Sequence, residues 1–262
     1  MILSPATEDA PVDPIKLERV QILVAYDGTT FDGWQSQRSG NAIQDHLERA
    51  ATKIVGMKTH VHGAGRTGAG VHAIAQSAHL DIPFHSVSID QWALALNAHL
   101  PREIRVTQLR RRPESWHARF NARSKSYRYR IFNEEWMNPL ELKRAWHVPK
   151  NLDPSLMQLA AAKLVGKHDF RAFCANRGWK ETSTVREIWK ISLKKKGSLI
   201  TLDFFGEGFL YKMVRMLAAN IVRVGQGKSN LAELDGFLHD PKSAKSSLSA
   251  PAEGLYLVKV GY

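Results

Sequence analysis

The chain has 262 residues, 44% of them hydrophobic, and carries 37 basic against 25 acidic residues for a net charge of +12. That length permits one large core or two modest domains. No apolar run is long enough to span a bilayer, and the single cysteine, Cys174, excludes an internal disulfide framework and any multi-cysteine metal site. The positive excess points to an anionic partner, nucleic acid first, and the lone cysteine suits a reducing cytoplasm.

Residues 1–17 are rich in Pro, Asp and Glu and lack the basic start and apolar block of a secretory signal. They are expected to form a flexible extension. Residues 19–26, "RVQILVAY", read as a strand and lead into the turn-rich "DGTTFDGW". From 41 to 55, Ile43, Leu47, Ala50, Ala51, Ile54 and Val55 mark one face of a helix that Gly56 ends. A short strand "THVHG" runs into a glycine-dense loop, and "IAQSAHLDI" follows as another strand. "SIDQWALALNAHLP" reads as a helix with Ser88 and Gln91 spaced as a capping box, and 104–110 as a strand. The order is β-α-β-β-α-β, that of a ferredoxin-like domain.

The second half repeats this order. "SKSYRYRIF" is a strand, followed by a helix over 154–165 with Asp153 at the N-cap and Pro154 in the first turn. Strands at 184–195 and 198–205, a long helix over 209–225 and a last strand "GLYLVKV" complete it. The fold class is therefore α+β: two ferredoxin-like domains, 18–113 and 114–262, with antiparallel sheets joined edge to edge.

The loop "GAGRTGAGVHA" (63–73) satisfies G-x-G-x-x-G through Gly63, Gly65 and Gly68, the spacing of a dinucleotide-binding turn. That fingerprint needs a helix opening directly on the glycines. Here "VHAIAQSAHLDI" alternates like a strand, and Asp81 lies in the wrong element for a ribose contact, which argues against a nucleotide-dependent oxidoreductase.

Residues 116–130, "WHARFNARSKSYRYR", interleave cations with aromatics, and Arg123, Lys125, Tyr127 and Tyr129 share one face of the strand. An aromatic ring among cations offers a π-surface to an unstacked base and charge to its phosphates. Either tyrosine could equally be a core residue. In the 209–225 helix Leu210, Met213, Val214, Leu217, Ile221 and Val224 form an apolar face, and Lys212, Arg215 and Arg223 a cationic edge. Arg215, nearest the apolar boundary, is expected to point into a cleft, and the other two to be solvated. The histidines, His60, His62 and His79 among them, show no metal-ligand spacing, and no metal is inferred.

Taken together, "YDGTTFDGWQSQ" (26–37), "GAGRTGAGVHA", "FNARSKSYRYRIFN" (120–133), "KHDFRAF" (167–173), "MVRMLAANIVRVG" (213–225) and "AEGLYLVKVGY" (252–262) resemble the TruA family of tRNA pseudouridine synthases. The resemblance implies two ferredoxin-like domains in one continuous sheet, a central basic cleft, a homodimer, and no cofactor or metal. It implies an isomerase that flips a uridine out of the tRNA anticodon stem-loop (positions 38 to 40), breaks its glycosidic bond and rejoins the uracil through C5. By motif, Arg66 matches the arginine that displaces and holds the flipped nucleotide. Tyr127 matches the tyrosine stacked on the target base, and Arg215 the basic partner of the nucleophile. The basic segment around Tyr127 adds His117, Arg119, Arg123 and Lys125 as expected RNA contacts.

One position departs. The family loop reads G-R-T-D-A-G-V-H and its aspartate is the nucleophile, whereas this chain has Gly68 there. Glycine can neither attack nor act as a base. Asp27 and Asp32 lie in a turn and Asp81 a strand away, so none is expected to substitute. The sequence thus leaves two readings of one cleft: a pseudouridine synthase lacking its carboxylate, or a non-catalytic tRNA-binding or tRNA-folding protein.

Overall fold

The structure, a computed structural model, describes residues 16–84, 88–175, 183–240 and 246–262. Most of the expected N-terminal extension lies outside the described residues. In chain order the elements are β1 (Leu17–Tyr26), α1 (Ile43–Val55), β2 (His62–Gly63), β3 (His72–Pro83), α2 (Ile89–His99) and β4 (Ile104–Arg112). They continue with β5 (Ser124–Phe132), β6 (Trp146–His147), α3 (Pro154–Lys163), β7 (Gly166–Asp169), β8 (Val185–Lys196) and β9 (Leu199–Gly206). The last three are α4 (Met213–Gly225), α5 (Leu231–His239) and β10 (Leu255–Gly261).

Local chemistry accounts for these boundaries. In β1 every second residue, Val20, Ile22, Val24 and Tyr26, is buried, the period-two pattern of a strand with one face on a core. Helix α1 buries Ile43, Leu47, Ala50 and Ala51 and stops at Gly56, whose φ of 78° is a left-handed cap. Ser88 and Gln91 form the reciprocal box at the start of α2. Asp153 caps α3 by accepting from the backbone N–H groups of Ser155 and Leu156. Helix α4 begins at Met213, four residues later than its apolar periodicity suggests, because Lys212 adopts φ 59°, ψ 4° and breaks the helical path. Leu210 stays buried ahead of that break, so it joins the apolar face without being helical.

Among the described residues ten strands make one sheet. Its path is β4-β1-β3-β10-β5-β9-β8-β7, with β2 added to β3 and β6 to β5. All pairings are antiparallel except β3 with β10 and β5 with β6. The fold is thus mixed α+β on a large, mostly antiparallel sheet. Short β6, β7 and α5 lie outside the expected element list.

Two buried clusters lie along this sheet. One gathers β1, β3 and β4 with α1 and α2, and the other gathers β5, β8 and β9 with α3, α4 and α5. Tyr127 packs against both. The seam is the β3–β10 contact, which has only two register pairs, Tyr256 with His72 and Leu257 with Ala73. Farther along β3, β2 pairs with His79 and Ala78. The chain between β2 and β3, residues 64–71, therefore lies where β10 leaves β3. No helix among the described residues is long and apolar enough to cross a membrane.

Candidate active-site loop and nucleic-acid interface

The 64–71 loop is tied down by its backbone. The Ala64 N–H donates to the Ser77 carbonyl at 2.7 Å, and Gln76 Nε2 donates to the Gly65 carbonyl at 2.8 Å. The Thr67 carbonyl accepts from Trp34 N–H at 3.0 Å, and its Oγ1 lies 2.7 Å from the Tyr26 hydroxyl. The Val71 N–H closes the turn onto the Gly68 carbonyl at 3.2 Å. Thr67 is buried while Arg66 is exposed, so the anchoring leaves the arginine at the surface.

Gly68 needs none of glycine's special freedom. Its φ is not among the positive values, and a Cβ built on it meets nothing within 4 Å. The backbone at 68 has a conformation open to any L-residue, with room for a side chain. Gly28 is the opposite case: a Cβ there would lie 2.0 Å from the Val71 carbonyl oxygen. Only glycine lets the 27–28 turn press on the end of the loop.

His72, just after the loop, is buried and joins three segments. Its Nδ1 accepts from Gly28 N–H at 3.1 Å, and its Nε2 lies 3.0 Å and 3.1 Å from the carbonyls of Lys143 and Glu253. Burial lowers its pKa, against the pull of Asp27, whose Oδ1 lies 3.2 Å from Nδ1, and a neutral ring with its proton on Nε2 fits the three hydrogen bonds to the backbone. Sequence reading gave this residue no role. A histidine closing a glycine loop at a strand entrance was the available signal.

The two tyrosines separate. Tyr129 is fully buried in the second cluster and donates to the Pro251 carbonyl at 2.7 Å, so it is a core residue. Tyr127 sits at the seam with its ring edge-on to Phe209, centroids 5.2 Å apart at 84°. Burial pushes its hydroxyl up to about 12, which keeps the phenol neutral.

Arg215 is half-buried, and its Nε donates to the Ala250 carbonyl at 2.7 Å. Burial lowers its pKa, and the phenols of Tyr129 and Tyr211 are close enough to act on it. Arg119 and Arg123 are exposed. His117 belongs to a ring cluster with His62, His79 and Phe120, 4.3 to 5.7 Å between centroids. Lys125 reaches the loop: its Nζ lies 3.0 Å from where a Gly65 Cβ would stand. Lys212 stacks over Tyr211. Arg223 is half-buried with its Nε out of solvent, which corrects its reading as a solvated cation: helix α4 is buried on nearly every side, leaving little edge to hydrate.

The three nearby carboxylates all have partners. Asp27 accepts from the Thr29 hydroxyl and pairs with Arg144, Asp32 accepts from Ser39, and Asp81 is held in a two-pronged pair by Arg19. Among the described residues no group of three or more His, Cys, Asp or Glu side chains is placed to hold a metal ion.

Known proteins resemble this chain over most of its length. A family profile described as tRNA pseudouridine synthase matches residues 22–121 and 160–262. The chain is 40% identical over 253 residues to tRNA pseudouridine synthase A of Akkermansia muciniphila, covering 94% of this chain and 96% of that protein. It is 37% identical over 246 residues to the protein of the same name from Acetivibrio thermocellus, covering 94% and 100%. The Nostoc sp. protein of that name is 38% identical over 254 residues, covering 95% and 88%. The chain belongs to the tRNA pseudouridine synthase family, a family of isomerases.

Proposed function

We propose that this chain binds the anticodon arm of tRNA across the β3–β10 seam and presents a flipped uridine to Tyr127 and Arg66. In this reading each half of the sheet is a ferredoxin-like domain, 18–113 and 114–262. The supporting pattern is a repeated strand order, β4-β1-β3-β2 and then β10-β5-β9-β8. Two copies of the chain form the working unit, in the cytoplasm, without cofactor or metal.

The observation that carries the reading is the state of residue 68. The loop is anchored through its neighbours, its backbone at 68 is unstrained, and the space for a side chain is open. On this reading the loop of a uridine isomerase is retained while Gly68 withholds the nucleophile. Removing the nucleophile from such a unit costs roughly 10⁴-fold or more in turnover, with binding and positioning retained. Arg215, the nucleophile's basic partner by motif, donates from its Nε to the Ala250 carbonyl.

The same observation favours a second reading, a tRNA-binding or tRNA-folding protein that has dispensed with the reaction. Binding is common to both. An anticodon-arm RNA should bind with an affinity that falls steeply with salt, and Tyr127→Ala should weaken it by removing a stacking surface worth about 1–3 kcal/mol. A flat salt response together with unchanged affinity in that variant would overturn the RNA reading.

A further inference from the structure

Lys125 poses a problem that the free protein does not solve. It lies on β5 two residues before Tyr127, on the same side of the strand and about 7 Å away along it. Its partners across the sheet are Val260 and Gly206, neither with a side-chain acceptor. Gly206 must be glycine, because a Cβ there would strike the Glu187 carbonyl at 2.5 Å. On the loop side the ammonium abuts Gly65, which also offers no side chain.

No carboxylate lies within salt-bridge distance of Lys125 among the described residues. Burial lowers its pKa first, and the positive charges of Arg119 and Arg186 lower it further. A half-buried ammonium without a counter-charge is costly. It is relieved by an anion with several acceptor oxygens, which can take charge-assisted hydrogen bonds from the ammonium.

We propose that Lys125 receives one phosphate of the RNA backbone, that of the nucleotide beside the base on Tyr127. The proposal rests on the RNA-binding reading above and names a contact within it. The shared chemistry is a phosphate oxyanion, which a free phosphate or a mononucleotide also carries. The lysine and the tyrosine then act as a pair, one holding the backbone and the other the base of neighbouring units.

Thermal unfolding and RNA binding of the full chain test it, with Lys125→Met and Lys125→Arg beside the wild type. Without phosphate, Lys125→Met should raise the unfolding midpoint, since it removes an uncompensated charge but keeps the volume. Inorganic phosphate or uridine 5′-monophosphate should raise the wild-type midpoint, uridine should not, and Lys125→Met should respond to none. For an anticodon-arm oligoribonucleotide, Lys125→Met should cost about tenfold in affinity and lower the log–log salt slope by about one. Lys125→Arg should keep that slope.

A lowered midpoint in Lys125→Met with an unchanged phosphate response would overturn the proposal and make the lysine structural. RNA binding with an unchanged salt slope in Lys125→Met would overturn the phosphate contact and leave the RNA reading standing. Phosphate stabilisation that needs Lys125, in a protein that does not bind the RNA, would overturn the assignment to RNA and leave a free-phosphate site.

Discussion

Tyr26 Oη and Thr67 Oγ1 lie 2.7 Å apart, both residues buried, and so fasten the middle of the Gly68 loop to the first strand. Burial raises the pKa of this phenol, which keeps it protonated. Tyr26→Phe removes the bond and strands a buried hydroxyl, at a cost of about 1–2 kcal/mol. Urea unfolding reads the loss directly. An unchanged midpoint at constant slope would show that the bond contributes nothing.

The two glycines at the ends of the loop's packing should behave oppositely. Gly28→Ala places a methyl 2.0 Å from the Val71 carbonyl oxygen, and the backbone must move, at about 1–3 kcal/mol. Gly68→Ala meets nothing and restricts the unfolded chain, so it should be neutral or stabilising by up to about 1 kcal/mol. Denaturant curves of the two variants side by side settle the contrast. A Gly68→Ala variant as damaged as Gly28→Ala would mean the space at 68 is not open.

His79 makes stability sensitive to acid. Burial pushes its pKa from 6.5 down to about 4, with His117 and Arg19 adding to the effect, and its Nδ1 accepts from the Ala118 N–H. The unfolded chain takes up a proton near 6.5 that the folded chain refuses until about 4. Stability from this group is therefore complete above about 6.5 and is lost as the pH falls towards 4, on the order of 3 kcal/mol. His79→Asn keeps an acceptor but does not titrate, and should flatten that part of the stability profile. The same slope in variant and wild type would assign it to other groups.

Much of this architecture is legible in the residues because local and global signals agree. The period-two burial of β1, the Ser88–Gln91 box, the Asp153–Pro154 start and the Gly56 stop each follow from side-chain chemistry within a few positions. Apolar spacing continues through Leu210 while Lys212 turns left-handed, so periodicity places the start of α4 too early. Two-residue β6 and four-residue β7 carry too little pattern to read.

At the site, strand alternation put Lys125, Tyr127 and Tyr129 on one face but could not divide them. That division comes from the meeting of two cores, a long-range fact. The roles of His72, Gly28 and Gln76 are equally non-local, since each acts through a backbone group far away in sequence. The Gly68 departure was plain in the sequence. Its open, unstrained surroundings were not.

On the proposed reading, Gly68 alone withholds the reaction from a site otherwise built for it. The most direct measurement is tritium release from anticodon-arm tRNA labelled at uridine C5, comparing the wild type with Gly68→Asp at equal RNA occupancy. Release by Gly68→Asp is expected to be roughly 10⁴-fold or more above the wild type, with similar RNA affinity. Wild-type release at a rate near that of Gly68→Asp, or a Gly68→Asp variant that binds the tRNA and stays inert, would contradict it.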